Sequence, residues 1–157
     1  MSRRDQIRMT PDEARAFLGE ERTMTCATHG KSGWPHLMPL WYVLRGADRD
    51  ELWAWTYAKS QKVRNLERDP RATVQVEAGT EYHLLRGMML ETEVEIIRDP
   101  EAVHALGLEI FTRYGDGSPP TGAVAEMVAA QAAKRVGLRF VERSRVTWDH
   151  RKLEGTY

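Results

Sequence analysis

Thr56-Tyr57-Ala58-Lys59-Ser60-Gln61-Lys62-Val63-Arg64-Asn65-Leu66 is the stretch that decides how this chain folds. It continues an aromatic-rich strand pattern, Leu52 to Tyr57, and then opens a short amphipathic helix. A helix N-terminus presents unpaired backbone N–H groups and the positive end of a dipole, which suits an anion such as phosphate. Ser60 has the residue type of an N-cap, and Lys59 and Lys62 place full charges on one side of the first turn. The segment reads as the anchor of a phosphorylated, flavin-like cofactor. The competing reading is a surface helix whose lysines face water, since basic residues are ordinary on surfaces.

Upstream, Thr10-Pro11-Asp12-Glu13 carries a capping box with proline in the first turn; Ala14, Phe17 and Leu18 form a small apolar face and Gly19 is the expected stop. Thr23 to Thr28 alternates as a half-buried strand, and His29 to Gly33 is a turn. Trp34 to Leu44 reads as a second strand. Pro35 and Pro39 cannot donate ladder hydrogen bonds, so it must be an edge or bulged strand. Downstream, the anchor helix ends at Asp69-Pro70, Ala72 to Glu77 is a fourth strand, and Tyr82 to Ile97 a long fifth with Gly87 as the expected bulge. In that fifth strand Leu90, Thr92, Val94 and Ile96 share one face and Glu91, Glu93 and Glu95 the other. Asp99-Pro100-Glu101 opens a helix with Val103, Leu106 and Ile110 inward. Val124 to Lys134 is another, with Val124, Met127, Val128 and Gln131 on one face. Val136 to Val141 and Arg145 to Trp148 close the chain as a strand or strand pair. Strands joined by short links favour an antiparallel sheet closed into a barrel with peripheral helices.

Composition narrows the function classes. The 157 residues suit one domain, with 41% hydrophobic and 29% charged residues. We expect residues 1–20 as an N-terminal helix, 21–149 as a barrel with inserted helices and 150–157 as a tail. Acids and bases balance at 23 each, which argues against a nucleic-acid partner. No apolar run approaches the roughly 20 residues of a membrane span, and no signal-peptide core opens the chain, so a cytoplasmic protein is expected. The single Cys26 excludes an intrachain disulfide and reads as a small buried residue. His29, His36, His83, His104 and His150 share no metal-ligand spacing, so no metal site is expected.

Thr56, Lys59-Ser60-Gln61-Lys62 and Asn65-Leu66-Glu67-Arg68-Asp69-Pro70-Arg71 resemble the signature of the FMN-binding split-barrel, or pyridoxamine 5′-phosphate oxidase-like, family. The strand Trp34 to Tyr42 resembles its proline- and aromatic-bearing strand, and Trp148 to Leu153 resembles the close of an actinobacterial branch that uses coenzyme F420, a deazaflavin with a phosphate, a lactate and an oligoglutamate tail. The resemblance implies a mainly β fold, a six-stranded antiparallel split β-barrel, working as a homodimer with the cofactor between subunits. It implies that Ser60 and Lys62 hold the phosphate, with Lys59 and Thr56 beside them and Asn65 in the same motif. It further implies that Met38, Pro39 and Leu40 line the ring. Met38 stands where the family often has a small hydroxyl residue. The tail offers Trp148 and Arg151 but lacks the arginine-and-histidine pattern that grips pyridoxamine phosphate, so that oxidase activity is not assigned.

A bound flavin or deazaflavin supplies the hydride chemistry while the protein supplies position and water exclusion, which agrees with the absence of a triad or paired carboxylates. The resulting expectation is an oxidoreductase that passes a hydride from reduced coenzyme F420 to a small organic acceptor. The alternatives are an FMN-dependent oxidase or reductase and a non-catalytic flavin- or haem-binding protein. His36 is the candidate proton donor, against a plain surface or interface histidine. Tyr82, His83 and Arg86 precede Gly87 on the fifth strand and are candidates to reach the partner subunit's cofactor, with Arg86 as a fork for a phosphate or carboxylate, against a plain sheet-stabilising role. Trp41, Trp53, Trp55 and Tyr57 are either a ring-binding groove or ordinary core aromatics. Arg151 and Lys152 are read either as holding an anionic tail or as solubilising the chain end. Arg64 and Arg68 are read as exposed ion pairs around Glu67.

Overall fold

The computed structural model describes residues 2–153; the last four residues of the expected 150–157 tail lie outside them. The chain forms α1 (Arg3–Gln6), α2 (Pro11–Glu20), β1 (Thr23–His29), β2 (Pro35–Trp41), β3 (Val43–Arg45), β4 (Glu51–Tyr57), α3 (Gln61–Arg68), β5 (Arg71–Ala78), β6 (Arg86–Ile97), α4 (Pro100–Tyr114), α5 (Gly122–Ala132) and β7 (Arg135–Asp149), with 3-10 turns at Tyr82–Leu84 and His150–Leu153. Among the described residues no helix is long and apolar enough to cross a membrane.

The sheet order is β2-β1-β5-β6-β7-β4-β3, with every pair antiparallel. Its two end strands are consecutive in the chain and separated only by Tyr42. They are therefore one strand that pairs with β1 through its first half and with β4 through its second, and the sheet curls into the expected six-stranded split barrel. The break has a local cause: the Tyr42 amide donates to the Tyr114 hydroxyl at 2.9 Å instead of to a neighbouring strand. The fully buried Tyr42 phenol reaches the carbonyls of Leu18 at 2.8 Å and Glu21 at 2.9 Å, and so ties the corner to the end of α2. Pro35 and Pro39 are tolerated because the ladder of β2 is made with β1 alone.

Strand pleating sorts the core. Met24, Cys26, Leu52, Ala54, Val74, Met88, Leu90, Leu138 and Phe140 point into the barrel, joined by Phe17 and Leu18 of α2 and by Val63 and Leu66 of α3. On the outer face of β4, Trp55 packs with Val103, Leu106 and Ile110 of α4 and Val128 of α5. The capping box holds as read: the Thr10 hydroxyl accepts the Glu13 amide at 3.2 Å and the Glu13 carboxylate accepts the Thr10 amide at 2.7 Å.

Several details differ from the sequence reading. Gly87 is not a bulge; it pairs in register with Glu77 and Trp148, and a Cβ there would collide with the Trp148 indole. The bulge lies between Glu91 and Thr92, opposite Arg143. Gly19 does not stop α2, which runs on to Glu20. Of the two readings left open for the close of the chain, a strand or a strand pair, residues 135–149 form the single long strand. Helix α5 buries Val128 and Ala132 and leaves Val124 and Met127 exposed, because its contact with α4 runs along a different stripe. Arg64 and Arg68 do not pair with Glu67, which instead meets Arg98 at 2.5 Å. Arg68 donates to the His29 carbonyl at 2.8 Å.

Candidate functional site

Helix α3 starts one short turn after β4, and its cap is made as read: the Ser60 hydroxyl accepts the Val63 amide at 3.4 Å. Lys59 precedes the helix and is exposed, whereas Lys62 is turned inward and is only 7% exposed. The Lys62 ammonium donates to the Thr56 hydroxyl at 3.0 Å and meets no carboxylate among the described residues. Burial is the main force pulling its pKa below the ordinary lysine value; the nearby Arg135 adds to it and Cys26 opposes it. A desolvated ammonium without a counterion is costly, so the residue fits an anion brought from outside.

Asn65 is fully buried and sets the position of α3. Its amide donates to the Thr28 hydroxyl at 3.0 Å, and its oxygen accepts from Gln61 at 2.9 Å and Arg68 at 3.2 Å. Fully buried and bonded through both its amide nitrogen and its oxygen, it positions the anchor and does not reach into solvent. Cys26 lies inside the barrel, where burial pushes its thiol up to about 12 against the pull of Lys62, which makes it an inert thiol.

Strand β2 brings the ring-lining candidates beside this anchor. Met38 faces Cys26 and His36 faces Thr28 across the β1–β2 ladder, the same β1 residues that α3 approaches. Directly paired residues share a sheet face, so His36, Met38 and Leu40 stand on the inner side, and Leu40 packs against the core. His36 Nδ1 is buried without a hydrogen-bond partner. Pro39 lies on the opposite face with Leu37 and Trp41.

Within one subunit Arg86, Trp148 and Arg151 lie away from this assembly. Arg86 pairs with Ala78 at the far end of β5 from the Ala72–Thr28 pairing beside α3, about 20 Å along the strand. Its guanidinium meets Glu20 at 3.1 Å and Glu21 at 3.7 Å and lies over the Phe17 ring. Arg151 is engaged with Asp149 at 2.6 Å, which holds that carboxyl below the usual range. Lys152 donates to the Arg8 carbonyl at 2.8 Å and to Glu13 at 2.6 Å. Trp148 covers Gly87. This basic tail is therefore internally committed. The aromatics do not gather into a groove either: Trp41 stacks on Tyr114 at 4.4 Å, and Trp55 meets Phe111 edge-on.

One residue of the site escaped the sequence reading. Arg135 opens β7 opposite Tyr57, with its guanidinium 4.0 Å from the Tyr57 ring centre and 4.6 Å from that of Trp55. One of its terminal nitrogens donates to Gln131 at 3.1 Å, while its Nε is buried without a partner. Nothing local marks it out; only the pairing of β4 with β7, strands far apart in sequence, brings it here. Among the described residues no cluster of His, Cys, Asp and Glu could hold a metal ion.

Comparison with known proteins agrees with this geometry. The family model described as pyridoxamine 5′-phosphate oxidase matches residues 10–142. A conserved hypothetical protein of Mycobacterium tuberculosis, Rv2991, is 41% identical, with a TM-score of 0.88 over 100% of this chain and 95% of that one. An F420 reductase superposes with a TM-score of 0.62 at 23% identity over 83% of this chain and 94% of that one. A FAD-binding protein of Mesorhizobium loti gives 0.63 at 20% identity over 88% and 94%. The last two likenesses show the fold alone. A comparison with curated proteins returned no match. The chain thus belongs to the pyridoxamine 5′-phosphate oxidase-like split-barrel family.

Proposed function

We propose that this protein is a homodimeric oxidoreductase that binds coenzyme F420 and directs a hydride from its reduced form to a small organic acceptor. The observation that carries the reading is Lys62: a desolvated cation with no carboxylate, beside the N-terminus of α3 and within reach of the Thr56 hydroxyl. A phosphate beside it would satisfy the ammonium, the exposed Lys59 and the free N–H groups of the first turn together. The deazaflavin ring, when bound, supplies the hydride chemistry. Met38 and Leu40 offer an apolar wall for a planar ring on the inner side of β2, and they exclude water from it. The buried Nδ1 of His36 is the nearest titratable group on that wall and would hold or give a proton at the acceptor. Thr56, Lys59, Ser60 and Lys62 bind the anionic end, and Asn65 fixes the helix that carries them. The likeness to an F420 reductase supports the cofactor choice at the level of fold.

A partner copy is supported by β2 itself. Leu37 (57% exposed) and Trp41 (53%) share the outer face of the edge strand β2 with Pro39, and Trp34 (79%) is exposed just before it, apolar surface of the kind a second subunit covers. Light scattering should give twice the chain mass.

The second reading is an FMN-dependent oxidase or reductase, favoured by the same Lys62 anchor, which would serve a phosphomonoester equally well. Titration of the purified protein with the deazaflavin and with FMN, followed by ring fluorescence, separates the two. Tight FMN binding with no deazaflavin binding transfers the assignment to FMN, and a protein that binds neither is not a flavin-type oxidoreductase.

A further inference from the structure

We infer that the open edge of β7 beyond its bulge docks an extended, acidic peptide segment of a partner protein, taken up as an added strand. The site lies at the opposite end of β7 from Arg135 and is independent of the Lys62 anchor. Strand β4 pairs with β7 only as far as Arg139, whereas β6 accompanies β7 to Asp149. From residue 140 onward the side of β7 that faced β4 is paired by no other strand. The N-terminal segment covers only the last of it, where the Asp149 amide donates to the Ile7 carbonyl at 2.7 Å. The next rung of a ladder is not made, because the Met9 amide donates to the Thr147 hydroxyl at 3.0 Å and not to the Thr147 carbonyl. Backbone groups alternate sides along a strand, so the N–H and C=O of Thr147 and of Arg145 point the same way as the Asp149 amide. Among the described residues they meet no backbone partner.

Beside these groups a depression of about 510 Å³ opens between β7 and the elbow that joins α1 to α2. Met9, Ala14 and Val146 give it an apolar wall, and Arg4, Arg8 and Arg145 give it charge. Arg145 is matched by Glu142 at 2.6 Å and Asp50 at 3.4 Å. Arg8 has only an exposed pair with Asp5 at 3.4 Å, a contact of little strength. The exposed Arg4 guanidinium meets no carboxylate among the described residues. The backbone selects the class of ligand: donors and acceptors recur along the edge about 7 Å apart, the repeat at which an extended polypeptide presents their complements. A lone phosphate or carboxylate would satisfy the N–H groups and leave the carbonyls bare. The arginines select its charge. A second copy of this chain docked edge to edge would set the same cations of both copies against each other, whereas an acidic segment meets them favourably.

Fluorescence anisotropy tests this with labelled hexapeptides of alternating valine and threonine that carry two glutamates, two lysines or two serines at either end. The glutamate peptide is also N-methylated at alternate amides, in each of the two registers. We expect the glutamate peptide to bind about tenfold or more tightly than the lysine peptide. One methylated register should weaken it about tenfold or more and the other should be tolerated, because only alternate amides face the edge. Arg4→Ala combined with Arg8→Ala should weaken the glutamate peptide about three- to thirtyfold without moving the thermal midpoint, since both side chains are exposed. Hydrogen exchange at the Arg145 and Thr147 amides should slow when the peptide binds. Absence of binding, equal binding of the lysine peptide, or equal loss in both methylated registers overturns the proposal. Edge amides protected without peptide at high protein concentration and released on dilution would assign the edge to a second copy of this chain, and would overturn it as well.

Discussion

Replacing Lys62 with methionine should make the free protein more stable while stripping it of ligand. Lys62 is 7% exposed, and its ammonium has one hydrogen-bond partner among the described residues, the Thr56 hydroxyl at 3.0 Å. Holding an ammonium out of water costs several kcal/mol after relaxation. One charge-assisted hydrogen bond recovers roughly 1.5–3 kcal/mol of that. Methionine has a similar length and no charge, so Lys62→Met should stabilise the empty protein by about 1–3 kcal/mol. At about 2–4 °C per kcal/mol for a domain of this size, the melting temperature should rise by about 2–12 °C. The same change removes a charged donor to the phosphate, worth about 2–3 kcal/mol, so affinity for FMN or the deazaflavin should fall about 30- to 150-fold. Thermal unfolding without ligand and fluorescence titration with it read the two halves separately. A variant that melts lower and binds as before would refute the reasoning, because Lys62 would then be a structural residue with a hidden partner.

Other outcomes follow from the same contacts. Because burial holds the Lys62 pKa below its unfolded value, the unfolded chain keeps its proton at pH values where the folded one has released it. Stability of the empty protein should therefore rise with pH between the depressed folded pKa and the ordinary lysine value, and Lys62→Met should flatten that rise in urea melts. Gly87→Ala drives a methyl into the Trp148 ring and should cost about 1–3 kcal/mol by chemical denaturation; an unchanged midpoint would mean that β6 and β7 separate more easily than their pairing implies. Leu37→Lys places a charge on the exposed apolar face of β2 and should convert the proposed dimer to monomer by light scattering, with little effect on monomer folding, since Leu37 is 57% exposed.

Much of the architecture was written in short-range signals. Thr10 with Glu13, Ser60 and Asp99 each cap the helix they precede, since capping needs only a side chain within three residues of the amide it accepts. The alternation of β1 and of residues 90–96 in β6 fixed which face is buried, because pleating has a period of two. Two prolines marked β2 as an edge before any pairing was known. The anchor candidates Thr56, Lys59, Ser60 and Lys62 likewise lie within one turn and one short helix, so the sequence could group them.

Partnership across the sheet was not. Arg86 looked as free as Lys59 in the sequence, yet Glu20 and Glu21 claim it because α2 ends beside β6. Gly87 looked like a bulge, and only the register of β6 against β7 shows that it makes room for Trp148. Whether Lys62 faced an anion or plain water stayed open in the sequence until the curl of the barrel turned it inward, and Arg135 came beside it only when β7 paired with β4. Chain-local chemistry reports on conformations that neighbours a few residues apart can enforce. Desolvation and ion pairing depend on which distant residues the closed sheet brings within a few ångströms, and that was decided by the tertiary structure alone.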